Sequence, residues 1–211
     1  MSPQRKADYW DEQAAAYDRR ALEKGWYGHE VLFGLMYTGL QRGESVLDMG
    51  IGTGLGSALF HQAGLVVSGF DESDAMLLEC ARKGYVGSLQ RHDLKTTPLP
   101  YDDDSFDHII SLAVFSFLPD LSPIICEAAR VIKPGGLFGF SIERKKGDEA
   151  YRSSQIKTEW GEDVTMYRHT DEDITGQLEE CGFSLEKVFV FQSETFGDKE
   201  YRSVIFVARK Q

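Results

Sequence analysis

Basic residues are in short supply here: 23 Lys and Arg stand against 34 Asp and Glu in 211 residues, a formal net charge of −11. That excess repels a phosphate backbone, so nucleic acid is a disfavoured partner. Long apolar runs are missing as well. No stretch approaches the roughly 18 residues of a membrane-spanning helix, and Met1-Ser2-Pro3-Gln4-Arg5-Lys6 leads into no apolar secretory core. A cytoplasmic protein without a membrane span is the expectation. Cysteine is scarce, and Cys80, Cys126 and Cys181 are odd in number, far apart and without a C-x-x-C pair. Neither a disulfide framework nor a zinc site is indicated; each is expected as a small buried apolar residue. His29, His61, His92, His108 and His169 show no ligand spacing, so no metal is expected. The length suits one domain with one well-buried core, as a monomer or homodimer.

Against these absences stands one glycine-rich stretch. Val46-Leu47-Asp48-Met49 reads as a strand buried on both faces, and Gly50-Ile51-Gly52-Thr53-Gly54 as a turn whose glycines let the backbone approach a ligand. A helix over roughly Leu55 to Ala63 would then aim its unpaired N–H groups at that turn. A dinucleotide fingerprint needs glycine at position 55, where this chain has Leu55, so that match fails. Asp48 would repel a pyrophosphate but suits a ligand whose near end is cationic.

Two more acids repeat the theme. Leu65 to Asp71 reads as a second strand ending in an acid, 21 residues past Gly50, where a carboxylate can accept from ribose hydroxyls. Ser73 or Asp74 then caps a helix through Ala81. Asp93 follows a short strand from Tyr85. Three acids at three successive strand ends fit a ligand cleft, since ligands bind at the carboxyl ends of parallel strands.

The Asp-x-Gly-x-Gly-x-Gly stretch resembles the first motif of the class I S-adenosylmethionine-dependent methyltransferases, small-molecule type, similar to the ubiquinone- and menaquinone-biosynthesis-like enzymes. Other segments carry the same resemblance: Ala14-Ala15-Ala16-Tyr17-Asp18, Asp71-Glu72-Ser73-Asp74-Ala75-Met76-Leu77, and Glu127 through Gly136. Together they cover about residues 10 to 208. The resemblance implies S-adenosylmethionine as cofactor, S-adenosylhomocysteine as product, and cofactor contacts from Tyr17, Asp48, Gly50, Gly52, Gly54, Asp71, Glu72, Met76, Asp93, Leu94 and Leu112. Within that set Tyr17 would close over the methionine end, Met76 lie against adenine, and Asp93 with the Leu94 N–H serve the adenine edge.

Two departures narrow the acceptor. Enzymes acting on base or glutamine nitrogens carry Asn or Asp, Pro-Pro and an aromatic after the fourth strand (Ser105 to Ser111), where this chain has Leu112-Ala113-Val114-Phe115. Many small-molecule relatives carry His-His before Pro119-Asp120; here Ser116-Phe117 stands instead, so no catalytic base is assigned.

The rest reads as scaffold. Asp8 to Lys24 and Trp26 to Leu40 are expected as helices of an N-terminal cap over 1–44, with His29 and Tyr27 near a substrate or at the surface. Leu121 to Ile132 is an amphipathic helix stopped by Lys133-Pro134-Gly135-Gly136, with glycine as its cap; strand five covers Leu137 to Ile142. Residues 143–169 read as an irregular substrate-side insertion opening on the basic Arg144-Lys145-Lys146. Thr170 caps a helix ending at Cys181-Gly182. Ser184 to Gln192 and Tyr201 to Ala208 form a hairpin around Gly197-Asp198. The fold expected is α/β, a doubly wound Rossmann-like seven-stranded sheet, mostly parallel with a C-terminal antiparallel hairpin. The function is methyl transfer to a small-molecule acceptor, the alternatives being a cofactor-binding scaffold without turnover and a nicotinamide-dependent reductase.

Overall fold

The structure is a computed structural model that describes residues 10–143, 153–157, 163–196 and 199–211. Arg144-Lys145-Lys146 and the Gly197-Asp198 turn lie outside those residues. Strands β1 (Ser45–Met49), β2 (Val66–Asp71), β3 (Ser88–Arg91), β4 (Phe106–Ser111) and β5 (Ile132–Glu143) run parallel; β8 (Phe183–Phe196) and β9 (Lys199–Lys210) complete the sheet antiparallel, in the order β3-β2-β1-β4-β5-β9-β8. Order reverses between β1 and β4, which makes their carboxyl ends the binding crevice of a doubly wound sheet.

Successive residues of β1 face opposite sides, so the strand feeds two cores. Leu47 and Met49 join Phe138, Phe140 and Phe206 on one face, while Val46 joins Val67, Ile110 and Ile205 on the other. Helix α5 (Ser122–Val131) and α6 (Asp171–Glu180) cover the first face through Ile125, Ala128 and Ile174. On the second, α2 (Gly28–Met36) lies so close to the sheet that a Cβ on Gly139 would meet Met36 Sδ at 2.5 Å. Apolar residues fill both faces, and the seven-stranded arrangement is as the pattern predicts.

Several boundaries differ from expectation for local reasons. The first helical segment tightens to a 3₁₀ turn at Ala14–Ala16 before α1 (Tyr17–Glu23), where buried Ala14 packs toward α4 (Asp74–Arg82). After the glycine turn the helix α3 is only Ala58–Gln62, because positive φ at Gly50, Gly52 and Gly54 keeps the chain turning to residue 57. Helix α5 is not capped by glycine: the chain becomes extended at Ile132, and Gly135 takes its φ of +83° three residues later. Ser73 does cap α4, accepting from the Met76 N–H at 3.1 Å, and Thr170 caps α6 through the Asp173 N–H at 3.0 Å.

Two expectations are corrected. Residues 143–169 hold an antiparallel pair, β6 (Ser153–Lys157) with β7 (Asp163–Tyr167), and β7 packs on the turn Phe115–Phe117. Cys126 and Cys181 form a disulfide, their Cα atoms 5.0 Å apart; α5 and the end of α6 bring together cysteines separated by 55 residues, which linear spacing cannot reveal. Cys80 is free and buried as expected. Glu127 and Arg130 are architectural: Arg130 donates to the Tyr101 and Leu99 carbonyls, and Glu127 accepts the Leu99 N–H at 2.6 Å.

Candidate functional site

A cleft open to solvent on one side lies over the carboxyl ends of β1, β2 and β4. It brings together every candidate cofactor residue except one: Tyr17, Asp48, Gly50, Gly52, Asp71, Glu72, Met76, Asp93, Leu94 and Leu112 all line it. Gly54 does not. Its Cβ would point beneath the turn, 2.5 Å from Tyr85 Oη and 2.8 Å from Cys80 Sγ. A side chain at 54 would therefore collide with what lies under the turn.

The floor is tied by Asp71. Its Oδ2 accepts the Gly52 N–H at 2.9 Å and its Oδ1 the Ser73 N–H at 3.0 Å. Gly52 has φ +53°, and a Cβ there would meet nothing within 4 Å. That vacant approach is what a ligand pressed against the backbone requires.

Asp48 is the electrostatic centre. Its side chain is 2% exposed and Oδ2 finds no hydrogen-bond partner among the described residues. Burial pushes its carboxyl up to about 7, opposed by a hydrogen bond from Ser57 and aided by the nearby Asp71 charge. A desolvated carboxylate with one oxygen unpartnered suits a cationic partner.

Asp93 turns the next strand end, accepting the Lys95 N–H at 3.0 Å, with Leu94 buried beside it. Met76 is 3% exposed where α4 faces the cleft. At the end of β4, Ala113 holds a left-handed φ of +57° and donates its N–H to Ser141 Oγ at 2.9 Å. A non-glycine residue in that region, lining a cleft, is the kind of strain functional sites retain.

The sequence reading missed the aromatic lining. Trp10 and Trp26, from the N-terminal segment, and Phe117, from the turn after β4, line the cleft with Tyr17. Trp10 packs edge-on to Phe117 (5.6 Å) and to Tyr17 (6.2 Å). Helical spacing marks these aromatics as a buried face but cannot say that the face covers a cavity. Thr53 and His92 were also missed; Thr53 donates its hydroxyl to Asp18, fastening α1 to the glycine turn. His29 is buried and stacks on Trp26, whereas Tyr27 is 52% exposed. Ser116 is buried, its hydroxyl accepting the Glu143 N–H at 3.2 Å, so it is occupied structurally.

A doubly wound sheet with a glycine turn at its switch point and acids at three strand ends is the arrangement of a nucleoside-cofactor-binding protein. The methyltransferase domain model matches residues 47–140. The demethylmenaquinone methyltransferase of Tropheryma whipplei (strain Twist) is 31% identical over 193 residues, covering 81% of this chain and 80% of that one. A methyltransferase from Methanosarcina mazei superposes with a TM-score of 0.73 over 85% of this chain and 98% of its own, at 20% identity. Magnesium protoporphyrin IX methyltransferase from Synechocystis PCC 6803, with bound S-adenosylmethionine, gives 0.64 at 25% identity over 86% of this chain and 77% of its own. This chain belongs to the class I S-adenosylmethionine-dependent methyltransferases, and S-adenosylmethionine is its methyl donor. Among the described residues no helix is long and apolar enough to cross a membrane, and no His, Cys, Asp and Glu cluster could hold a metal.

Proposed function

We propose that this enzyme methylates a small, apolar, planar acceptor seated against Trp10, Tyr17, Trp26 and Phe117. One observation carries the reading: the cleft's ionisable residues Asp48, Asp71, Glu72, His92, Asp93 and Lys95 all come from strand ends and the segments after them. The N-terminal segment and the Phe115–Leu118 turn contribute aromatic and aliphatic side chains instead. A wall without charge desolvates a flat apolar molecule at little cost and orients it by ring packing.

In this proposal Asp48 takes the donor's ammonium, the backbone at Gly50 and Gly52 lies along its amino-acid end, and Asp71 accepts from the ribose hydroxyls. Glu72 borders the ribose, Met76 packs on the adenine, and Asp93 with the Leu94 N–H pairs with its edge. Leu112 and Tyr17 border the reacting centre. The bound sulfonium supplies an activated methyl carbon, so the protein's share of the rate is alignment and exclusion of water, effects that reach about 7 to 11 kcal/mol in well-oriented reactions. With Ser116 engaged to the Glu143 backbone, no base stands at that place. This favours acceptors that lose their proton readily.

The same proposal covers the whole chain as one domain, with residues 143–169 on the acceptor side, supported by the packing of β7 on the Phe115–Phe117 turn. It also includes a monomer or homodimer without nucleic-acid partners, in keeping with the net charge of −11. A cytoplasmic location remains part of it, although the Cys126–Cys181 bond is of a type that persists in oxidising surroundings. The test is transfer of labelled methyl from S-adenosylmethionine to a panel of naphthols, quinols, primary amines and carboxylates. Transfer to amines or carboxylates alone would replace the planar apolar acceptor.

A further inference from the structure

We propose that Tyr85, outside every motif of the cofactor cleft, is a positioning residue that fixes the glycine turn beside the Asp48 carboxylate through Gly54 and Ser57. This rests on Asp48 receiving the donor's ammonium. Tyr85 sits in the connection between α4 and β3 and does not line the cleft. Its hydroxyl donates to the Gly54 carbonyl and lies 3.4 Å from Ser57 Oγ. Ser57 is fully buried and directly follows Gly56, whose Cβ would lie 3.5 Å from Asp48 Oδ2. The ring is clamped by His61, stacked at 5.0 Å between centroids and 29° between planes.

The space under Gly54 explains why a tyrosine is suited to this place. A Cβ on Gly54 would strike Oη at 2.5 Å, so the hydroxyl occupies the volume that a side chain at 54 would need. Burial pushes the phenol further above its ordinary value, and at neutral pH the hydroxyl is a donor. One phenol thereby anchors the carbonyl of the turn's third glycine and borders the buried serine at the turn's end. Loss of the hydroxyl alone leaves the ring, its stacking and the apolar contacts in place, but frees the turn at its amino-acid end. Asp71 and Asp93, on other strands, keep their own backbone partners at Ser73 and Lys95, so the ribose and adenine end is affected less.

Calorimetric titration of Tyr85→Phe against wild type, with S-adenosylhomocysteine and with 5′-methylthioadenosine, separates these ends of the cofactor. Methylthioadenosine keeps the nucleoside and thioether but lacks the amino acid. Tyr85→Phe is expected to bind S-adenosylhomocysteine about tenfold more weakly, the loss of one buried hydrogen bond, and methylthioadenosine within about twofold of wild type. Ser57→Ala, which leaves Tyr85 in place, should give the same selective loss, and covers the case in which Tyr85→Phe does not fold. Equal loss for both ligands would mean general disorder of the turn and overturn the proposal, as would unchanged S-adenosylhomocysteine affinity in both variants. Failure of the wild type itself to bind S-adenosylhomocysteine would instead overturn the assignment of the cleft.

Discussion

Asp71 and Gly52 are joined by a 2.9 Å hydrogen bond from the glycine N–H to the carboxylate, across 19 residues of sequence. The ribose-binding acid proposed here therefore also braces the turn that faces the cofactor. Both functions depend on β1 and β2 being parallel neighbours, with Met49 in register with Phe70.

Asp71→Ala removes the acceptor for the Gly52 and Ser73 N–H groups together with the ribose contact. S-adenosylhomocysteine binding should weaken by about 1.5 to 3 kcal/mol, the range for hydrogen bonds to a charged group. Calorimetry showing unchanged affinity would remove Asp71 from the site.

Gly52→Val places a branched side chain at φ +53° in the open space above the turn. Binding of S-adenosylhomocysteine should be lost while circular dichroism still reports the folded sheet. Gly54→Val adds a collision to the same positive-φ strain: its Cβ meets Tyr85 and Cys80 within 3 Å, so the expected result is a melting temperature lower than that of Gly52→Val before any ligand is added. Equal effects of the two variants on folding would contradict this difference.

Asp48 gives a pH dependence with a definite sign. Its carboxyl is raised from 3.8 to about 7 by burial, so the unfolded chain releases this proton earlier than the folded one does. Stability of the unliganded protein therefore falls as pH rises between about 4 and about 7, then levels, with a penalty of a few kcal/mol above that window. Asp48→Asn should raise the unliganded melting temperature at pH 8 yet weaken S-adenosylhomocysteine more than about tenfold, since the ammonium loses its counter-charge. A variant that melts lower and binds as well as wild type would show that Asp48 is a structural acid.

Cofactor class is read most simply by thermal shift. A ligand that binds only the folded state raises the melting temperature by mass action, and S-adenosylmethionine and S-adenosylhomocysteine should both do so. NADH at equal concentration should not, because Asp48 at the turn opposes its pyrophosphate. Stabilisation by NADH alone would return the nicotinamide reading.

Much of this was legible in the residues themselves. Unbroken apolar runs such as Val46-Leu47 and Ile109-Ile110 announce strands buried on both faces, and glycines at 50, 52 and 54 can serve a turn that side chains would block. The acids Asp48, Asp71 and Asp93 mark three strand ends because a carboxylate is kept there only where hydrogen bonds or a charged partner meet it. Local chemistry of this kind fixes caps as well, as Ser73 and Thr170 demonstrate.

Tertiary structure alone decided which distant groups share a space. Cys126 with Cys181, Asp18 with Thr53, and Tyr85 with Gly54 are separated by 55, 35 and 31 residues, and no periodicity links the members of any pair. Gly54 reads like its neighbours in the turn, yet Tyr85 packs beneath it while Gly52 faces the cleft. The aromatic wall is the same case: helical spacing gives Trp10 and Tyr17 an apolar face, and only the fold sets that face over a cavity beside Phe117 instead of in the core. Sequence pattern specifies what each short segment must bury, whereas the surface against which it is buried is set by long-range packing.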